Sequence, residues 1–154
     1  MALAEAFGIT DYPAPAGGCL LTDVGFSRRL KDLFDHQKTY EERDFELLKH
    51  GRHFRLDNNH KVIVGRTKAD NENIVEFLDA AKDMSLRMVD IPSPTVLIPY
   101  GAPKDIVRRA AALCVAYSKT NNGVSARVSV KTPQGAQILT IEKGSRKAYA
   151  SHHI

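Results

Sequence analysis

The stretch VSARVSVKTPQGAQILTIEK, residues 124–143, decides how the rest of this chain is read. VSARVSVKT and AQILTIEK are strand-length runs, and PQG between them leaves room only for a turn, so the pair reads as a hairpin. Immediately upstream, KDIVRRAAALCVAYSK is a strongly amphipathic helical pattern that starts at Pro103 and is closed by TNNG. Further toward the N-terminus, MSLRMVD and TVLIPY read as two strands around the turn IPSP. Arg52–Leu56 and Lys61–Gly65 surround Asp57-Asn58-Asn59-His60 as a second hairpin. Helix is expected from near Asp70 to Ala81, with Ile74, Val75, Phe77 and Leu78 apolar. A helix capped by Thr22 or Asp23 runs to about Gln37, with Phe26, Leu30, Leu33 and Phe34 as its stripe. EERDFELLKHG forms a short helix between them, with acids in its first turn and Lys49 and His50 in its last, which suits the helix dipole. Six short strands with three or four helices interspersed predict one α+β domain over 23–150, built on a largely antiparallel sheet. Residues 151–154 are expected to be a disordered tail.

The 154 residues suffice for one ordinary domain, and 43% hydrophobic with 26% charged residues is a globular composition. No apolar run approaches the roughly 20 residues a spanning helix needs. MALAEAFGIT lacks the basic start and long apolar stretch of a secretory signal. Two cysteines without regular spacing argue against a disulfide framework, so a reducing, cytoplasmic setting is expected. The net charge of +4 is unevenly spread. Residues 1–100 carry 13 Lys and Arg against 16 Asp and Glu, whereas residues 101–154 carry 9 against 2. A basic C-terminal third suggests an anionic partner, with nucleic acid the first candidate and a solvated basic surface the plain alternative.

Residues 1–22 read differently from the rest. ALAEAFG looks like the last turns of a helix stopped by Gly8, as if a domain preceded it, and ITDYPAPAGG follows as an extended Pro/Gly linker. Cys19 comes after two glycines, where the backbone is permissive and a ligand can approach closely. The following helix N-terminus would favour its thiolate, yet no histidine lies nearby as a base, and glycines serving only a turn explain the stretch as well. Cys114 falls with Ile106, Ala110, Leu113 and Tyr117 on one helix face, a core position. His50 and His53 have i, i+3 spacing, but Gly51 breaks the helix between them and no companion completes a metal set. No metal is expected.

VGRTKADNENIVEF is the stronger candidate site. Arg66 and Lys68 lie just before a helix start, and Thr67 with Asp70 resembles a capping box. Free N–H groups there, flanked by two cations, would suit a phosphate, although an ordinary capped helix has the same pattern. Lys104 and Arg108 stand four apart on one helix face beside Arg109. Lys119, Arg127, Lys131, Lys143, Arg146 and Lys147 extend the basic run, which suits contact with an RNA or DNA backbone.

From Val62 to Ile141 the order of motifs resembles the NFACT RNA-binding domain, found in ribosome quality-control NFACT proteins and fused to some tRNA-thiolating enzymes. VGRTKADNEN is similar to that family's Gly-Arg/Lys-Asn-Ala-x-x-Asn-Asp segment, with Gly65, Arg66, Asn71 and Glu72 in the matching places. DMSLRMVDIPSPT resembles its Asp-x-Trp-Phe-His…Asp-x-Pro-Gly-Ser-His segment, keeping Asp83, Asp90 and Pro92. The family's Trp, Phe and His are replaced by Ser85, Leu86 and Arg87, and its later His by Thr95, which leaves Arg87 as the substitute. Tyr117, Ser118 and Lys119 match the Tyr-Ser-Lys that ends the family's Ala-rich helix.

Residues 2–36 resemble the junction of PP-loop tRNA thiouridine synthetase-like proteins, and GGCLLTD is the most specific part of that likeness. The Ser-Gly-Gly-x-Asp-Ser string of the PP-loop is absent. The resemblance therefore implies the C-terminal, RNA-binding piece of a tRNA-thiolating enzyme, with no cofactor and no catalysis of its own. An upstream PP-loop ATP pyrophosphatase domain would use ATP to adenylate a uridine oxygen, and sulfur would displace AMP. Cys19 would there be a sulfur carrier or an iron–sulfur cluster ligand, a half-site in this chain. The partner implied is tRNA or another RNA, contacted by Arg66, Lys68, Asn71, Arg87, Lys104, Arg108, Arg109 and Lys119 as one converging patch. The alternative is a protein-interaction or dimerisation module without direct RNA contact.

Overall fold

The computed structural model describes residues 23–121 and 123–154. The readings made of residues 1–22, Cys19 included, lie outside the described residues.

Helix α1 (Val24–His36) begins where Asp23 caps it, Oδ1 accepting from the Phe26 N–H at 2.9 Å, and it buries Phe26, Leu30 and Leu33. A short α2 (Glu42–Leu47) follows, and beyond it Gly51 takes a φ of +73°. A Cβ at Gly51 would lie 2.5 Å from the Val64 carbonyl oxygen, so only glycine lets the chain turn there into the first strand. Strands β1 (Arg52–Asp57) and β2 (His60–Val64) form the expected hairpin, with Asp57 accepting from the Asn59 N–H across the turn.

Helix α3 (Lys68–Phe77) starts and stops earlier than the expected Asp70–Ala81. Thr67 caps it, so that its first residue, Lys68, lies two residues upstream of that start. At the other end Leu78 turns extended, and the Asp83 carboxylate takes the Asp79 N–H at 2.9 Å, folding 79–83 into a turn. Strands β3 (Asp83–Met88) and β4 (Val96–Pro99) pair antiparallel. Helix α4 (Lys104–Ala116) buries eight of its residues, from Ile106 to Ala116. Strands β5 (Ser125–Thr132) and β6 (Gly135–Glu142) are the hairpin read from residues 124–143.

All five pairings are antiparallel, in the order β1-β2-β4-β3-β5-β6. The α+β reading with a six-stranded antiparallel sheet is therefore correct. Alternation along the strands gives the sheet two faces. The front face carries Phe54, Val62, Val64, Met84, Leu86, Val96, Ile98, Val128 and Val130 against α4 in one core. On the back, Leu47, Ile63, Ile74 and Leu97 pack α2 and α3 over β2 and β4 only. Arg43 of α2 reaches the start of β3 at Asp83; beyond it no described helix lies behind β3, β5 and β6, and Arg87, Arg127, Lys131, Ile138 and Thr140 are exposed.

The expectation of a disordered tail at 151–154 is overturned. A 3-10 helix spans Arg146–His152, His153 pairs with Phe54, and the Ile154 N–H donates to the His53 carbonyl at 2.9 Å. The free edge of β1 supplies main-chain partners for this tail, and the Phe54 ring packs edge-on against His153 at 5.1 Å.

Candidate nucleic-acid interface

The capping box at Thr67 forms as read: Thr67 Oγ1 accepts from the Asp70 N–H at 3.1 Å. Its other half alters the expected phosphate site. Asp70 Oδ2 accepts from the N–H groups of both Arg66 and Thr67, at 3.2 and 3.3 Å. The protein's own carboxylate thus takes amides an anion would have used. Asp70 is buried and lies 3.9 Å from the Arg66 Nε, while Arg66 and Lys68 keep 58% and 92% of their side chains exposed.

Asn71 is committed to packing. Its Oδ1 accepts from the Thr95 N–H at 2.9 Å, and it sits so close over Gly65 that a Cβ there would lie 1.8 Å away. The Gly65 N–H donates to the Thr95 carbonyl at 2.9 Å. Val64 pairs with Val96, Val96 with Leu86, and Arg87 with Ser129. Continuing those registers by one residue puts Gly65, Thr95, Arg87 and Ser129 in a single row across the sheet. At about 4.8 Å per strand, Arg87 stands roughly 10 Å from Gly65, beside the 66–68 loop. The loop borders the open back face.

On that face the cations are Arg87, Arg127 and Lys131. Arg127 holds Asp90 in a bidentate pair, Nε to Oδ2 at 3.1 Å and Nη2 to Oδ1 at 2.6 Å; Arg87 and Lys131 have no acidic partner among the described residues. Arg127 and Lys131 were read as part of a basic run but not as contacts. The signal was there: residues 127, 129 and 131 of a strand share one face by its period of two.

A second cationic group gathers at the adjoining end of the sheet. The guanidinium carbons of Arg52 and Arg146 lie 4.6 and 4.7 Å from the centroid of the Tyr117 ring. Burial lowers the Arg52 pKa, opposed by Tyr117, with the charges of Arg66 and Arg146 lowering it further. Burial and then Arg52, Arg29, Arg66 and Arg28 lower that of His153. These are like charges brought close by the fold from segments far apart in sequence. Lys119 is exposed just past the C-terminus of α4 at the same end. Lys143 donates to the Ser118 and Thr120 carbonyls, and Arg146 Nε to that of Ala116 at 3.0 Å, satisfying carbonyls left over at the helix end.

The remaining candidates lie elsewhere. Lys104 and Arg108 flank a groove with Thr132, Gln134 and Gln137 of the β5–β6 turn. That is the far end of a helix about 20 Å long. Arg109 is tied to the tail: its Nη2 donates to His152 Nε2 at 3.3 Å, while His152 Nδ1–H donates to the Arg55 carbonyl at 3.1 Å. The single converging patch expected from 66–68 and 104–119 is therefore split between the two ends of α4, because a straight helix spreads its residues along its axis. Cys114 is fully buried as read, and burial raises its thiol to about 11.

A family model described as the NFACT protein RNA binding domain matches residues 51–153. Among solved structures, the C-terminal of the fibronectin/fibrinogen-binding protein from Streptococcus suis is similar, with a TM-score of 0.58 at 17% identity. The match covers 81% of this chain and 59% of that one, and a likeness at this identity speaks for the fold alone. A comparison with curated proteins finds no match.

Proposed function

Since residues 51–153 make this chain a member of the NFACT RNA-binding domain family, we propose that it binds an RNA backbone where the 66–68 loop meets the open back of the sheet. The observation that carries this reading is the row from Gly65 through Thr95 to Arg87, which sets Arg66 and Lys68 beside Arg87 with Arg127 and Lys131 beyond. Side chains of this kind on a solvent-facing sheet suit phosphate contact, which positions an RNA without reading its sequence. With about four phosphates neutralised, the log–log dependence of affinity on salt should have a slope near −3. Mobility shifts with bulk tRNA across a salt series test it, and Arg66→Gln should flatten the slope by about one unit. A stable dimer by light scattering with no RNA shift would replace this reading with a protein-docking role.

The finer reading follows from the resemblance of residues 2–36. The chain holds tRNA for an upstream PP-loop sulfurtransferase domain, raising the effective concentration of the target uridine without touching it. Removing this region from the parent enzyme should raise the KM for tRNA and leave ATP–pyrophosphate exchange intact. Cys19→Ser in the parent should abolish thiolation while tRNA still binds; thiolation that persists would return Cys19 to a turn residue.

A further inference from the structure

We propose that this surface takes double-helical RNA, with one phosphate backbone on each of two cationic strips, and discriminates against single strands read through their bases. The inference rests on the RNA-binding reading above and deepens it. The first strip is Arg87, Arg127 and Lys131 on the open back face; the second is Arg52, Arg66 and Arg146 at the end of the sheet. Their nearest approach is near the 66–68 loop, about 10 Å from Arg87 across two strand spacings. A backbone lying on one strip leaves the paired strand facing the other.

What lies on and between the strips separates duplex from single strand. Proteins that hold single strands combine cations with aromatic rings on which successive bases stack. Among the described residues the open face has no such ring: Ser85, Ser129, Ile138 and Thr140 surround its cations. Tyr117, the aromatic at the end of the sheet, already carries two guanidiniums on its ring. Each open-face hydroxyl is free to bond outward, since those of Ser85, Ser129 and Thr140 have no partner among the described residues. An A-form helix offers 2′-hydroxyls and phosphates across a wide, shallow minor groove, and hydroxyls set among cations fit that pattern.

The full chain is titrated with two probes, an RNA duplex of about 16 base pairs and a single-stranded oligouridine of the same strand length, followed by fluorescence anisotropy. The duplex should bind at least about tenfold more tightly. The double variant R87Q/K131Q should weaken duplex binding about five- to tenfold and lower its salt slope by roughly 1.8, leaving the oligouridine little changed. R52Q/R146Q should act alike on the second strip. Its residues touch Tyr117, so circular dichroism accompanies it; R87Q/K131Q, at exposed positions with no acidic partner among the described residues, decides the matter by itself. Oligouridine bound as tightly as the duplex, or both probes weakened equally by R87Q/K131Q, would overturn the duplex assignment and leave RNA binding standing. Failure of either probe to bind would instead remove the RNA reading beneath it.

Discussion

The two halves of the sheet's back face use the same residue types for opposite ends. Behind β1, β2, β4 and the start of β3, cations lie among the helices, and Arg43 and Arg55 are answered by carboxylates. Arg43 Nη1 and Nη2 hold the buried Asp83 carboxylate at 2.7 and 3.2 Å, and Nη1 also donates to the Phe77 carbonyl. Arg55 holds Asp32 of α1 with both nitrogens of its fork. Lys61 lies in the cleft under α1 and α2, where burial lowers its pKa to about 8. Behind β5, β6 and β3 beyond Asp83 no described helix intervenes, and Arg87 and Lys131 have no acidic partner among the described residues. A cation under a helix is tolerated with a carboxylate beside it, as Arg43 and Arg55 have, or with a lowered pKa, as Lys61 has, whereas one on an open face keeps its water and its availability. The difference separates charges that build the fold from charges that can meet a partner.

Four substitutions test that separation, taken from the largest expected effect to the smallest. Arg43→Ala leaves Asp83 buried without its cation and should cost about 3 kcal/mol in urea unfolding, with RNA affinity of the folded protein unchanged. A loss of affinity without a loss of stability would break the comparison at its root. Asn71→Ala strands the Thr95 N–H, an expected cost of about 1–2 kcal/mol. Its salt slope with RNA should remain that of the parent; a slope reduced by about one unit would make Asn71 part of the contact surface.

Lys61→Met sharpens the covered half through pH. The folded pKa near 8 lies below the ordinary 10.5, so between them the unfolded chain binds more protons than the folded one. Stability should therefore rise from pH 8 toward 10.5 in the parent, and the methionine variant should lack that rise. The residue is only half-buried by surface area, which keeps the effect modest. Thermal unfolding at pH 7.5 and 9.5 measures it, and equal slopes in the two proteins would place the amine in solvent. Last, Asp90→Asn releases Arg127 from an exposed pair that contributes little to stability. RNA affinity should rise about two- to threefold at low salt, since one negative charge beside the open face is gone. Weaker binding would mean that Arg127 needs Asp90 to orient it.

Much of this arrangement was legible beforehand. The hairpin at 124–143, the helix at 104–116 and the caps at Asp23 and Thr67 follow from local patterns, and local geometry determines them. Three features were not legible, each for a physical reason. The tail at 151–154 is too short to declare itself and is held by the edge of β1 and by Arg109 of α4, both remote from it in the chain. Asp70 was read as a cap, but that its carboxylate would consume the amides of an anion site depends on where α3 meets β2. The grouping of Arg52 and Arg146 over Tyr117, with Arg66 near enough to act on Arg52, joins segments that no spacing along the chain brings together.

Local sequence accounts for the strands and the four α-helices, for the antiparallel class, for the family resemblance and for the excess of cations in the last third. Those properties depend on neighbours within a few residues: alternation, capping and composition. Which cations are paired and which stay available follows from the folded arrangement. That outcome depends on which half of the sheet the helices cover, and electrostatic pairing across a sheet is settled by contacts between segments that are remote in the chain.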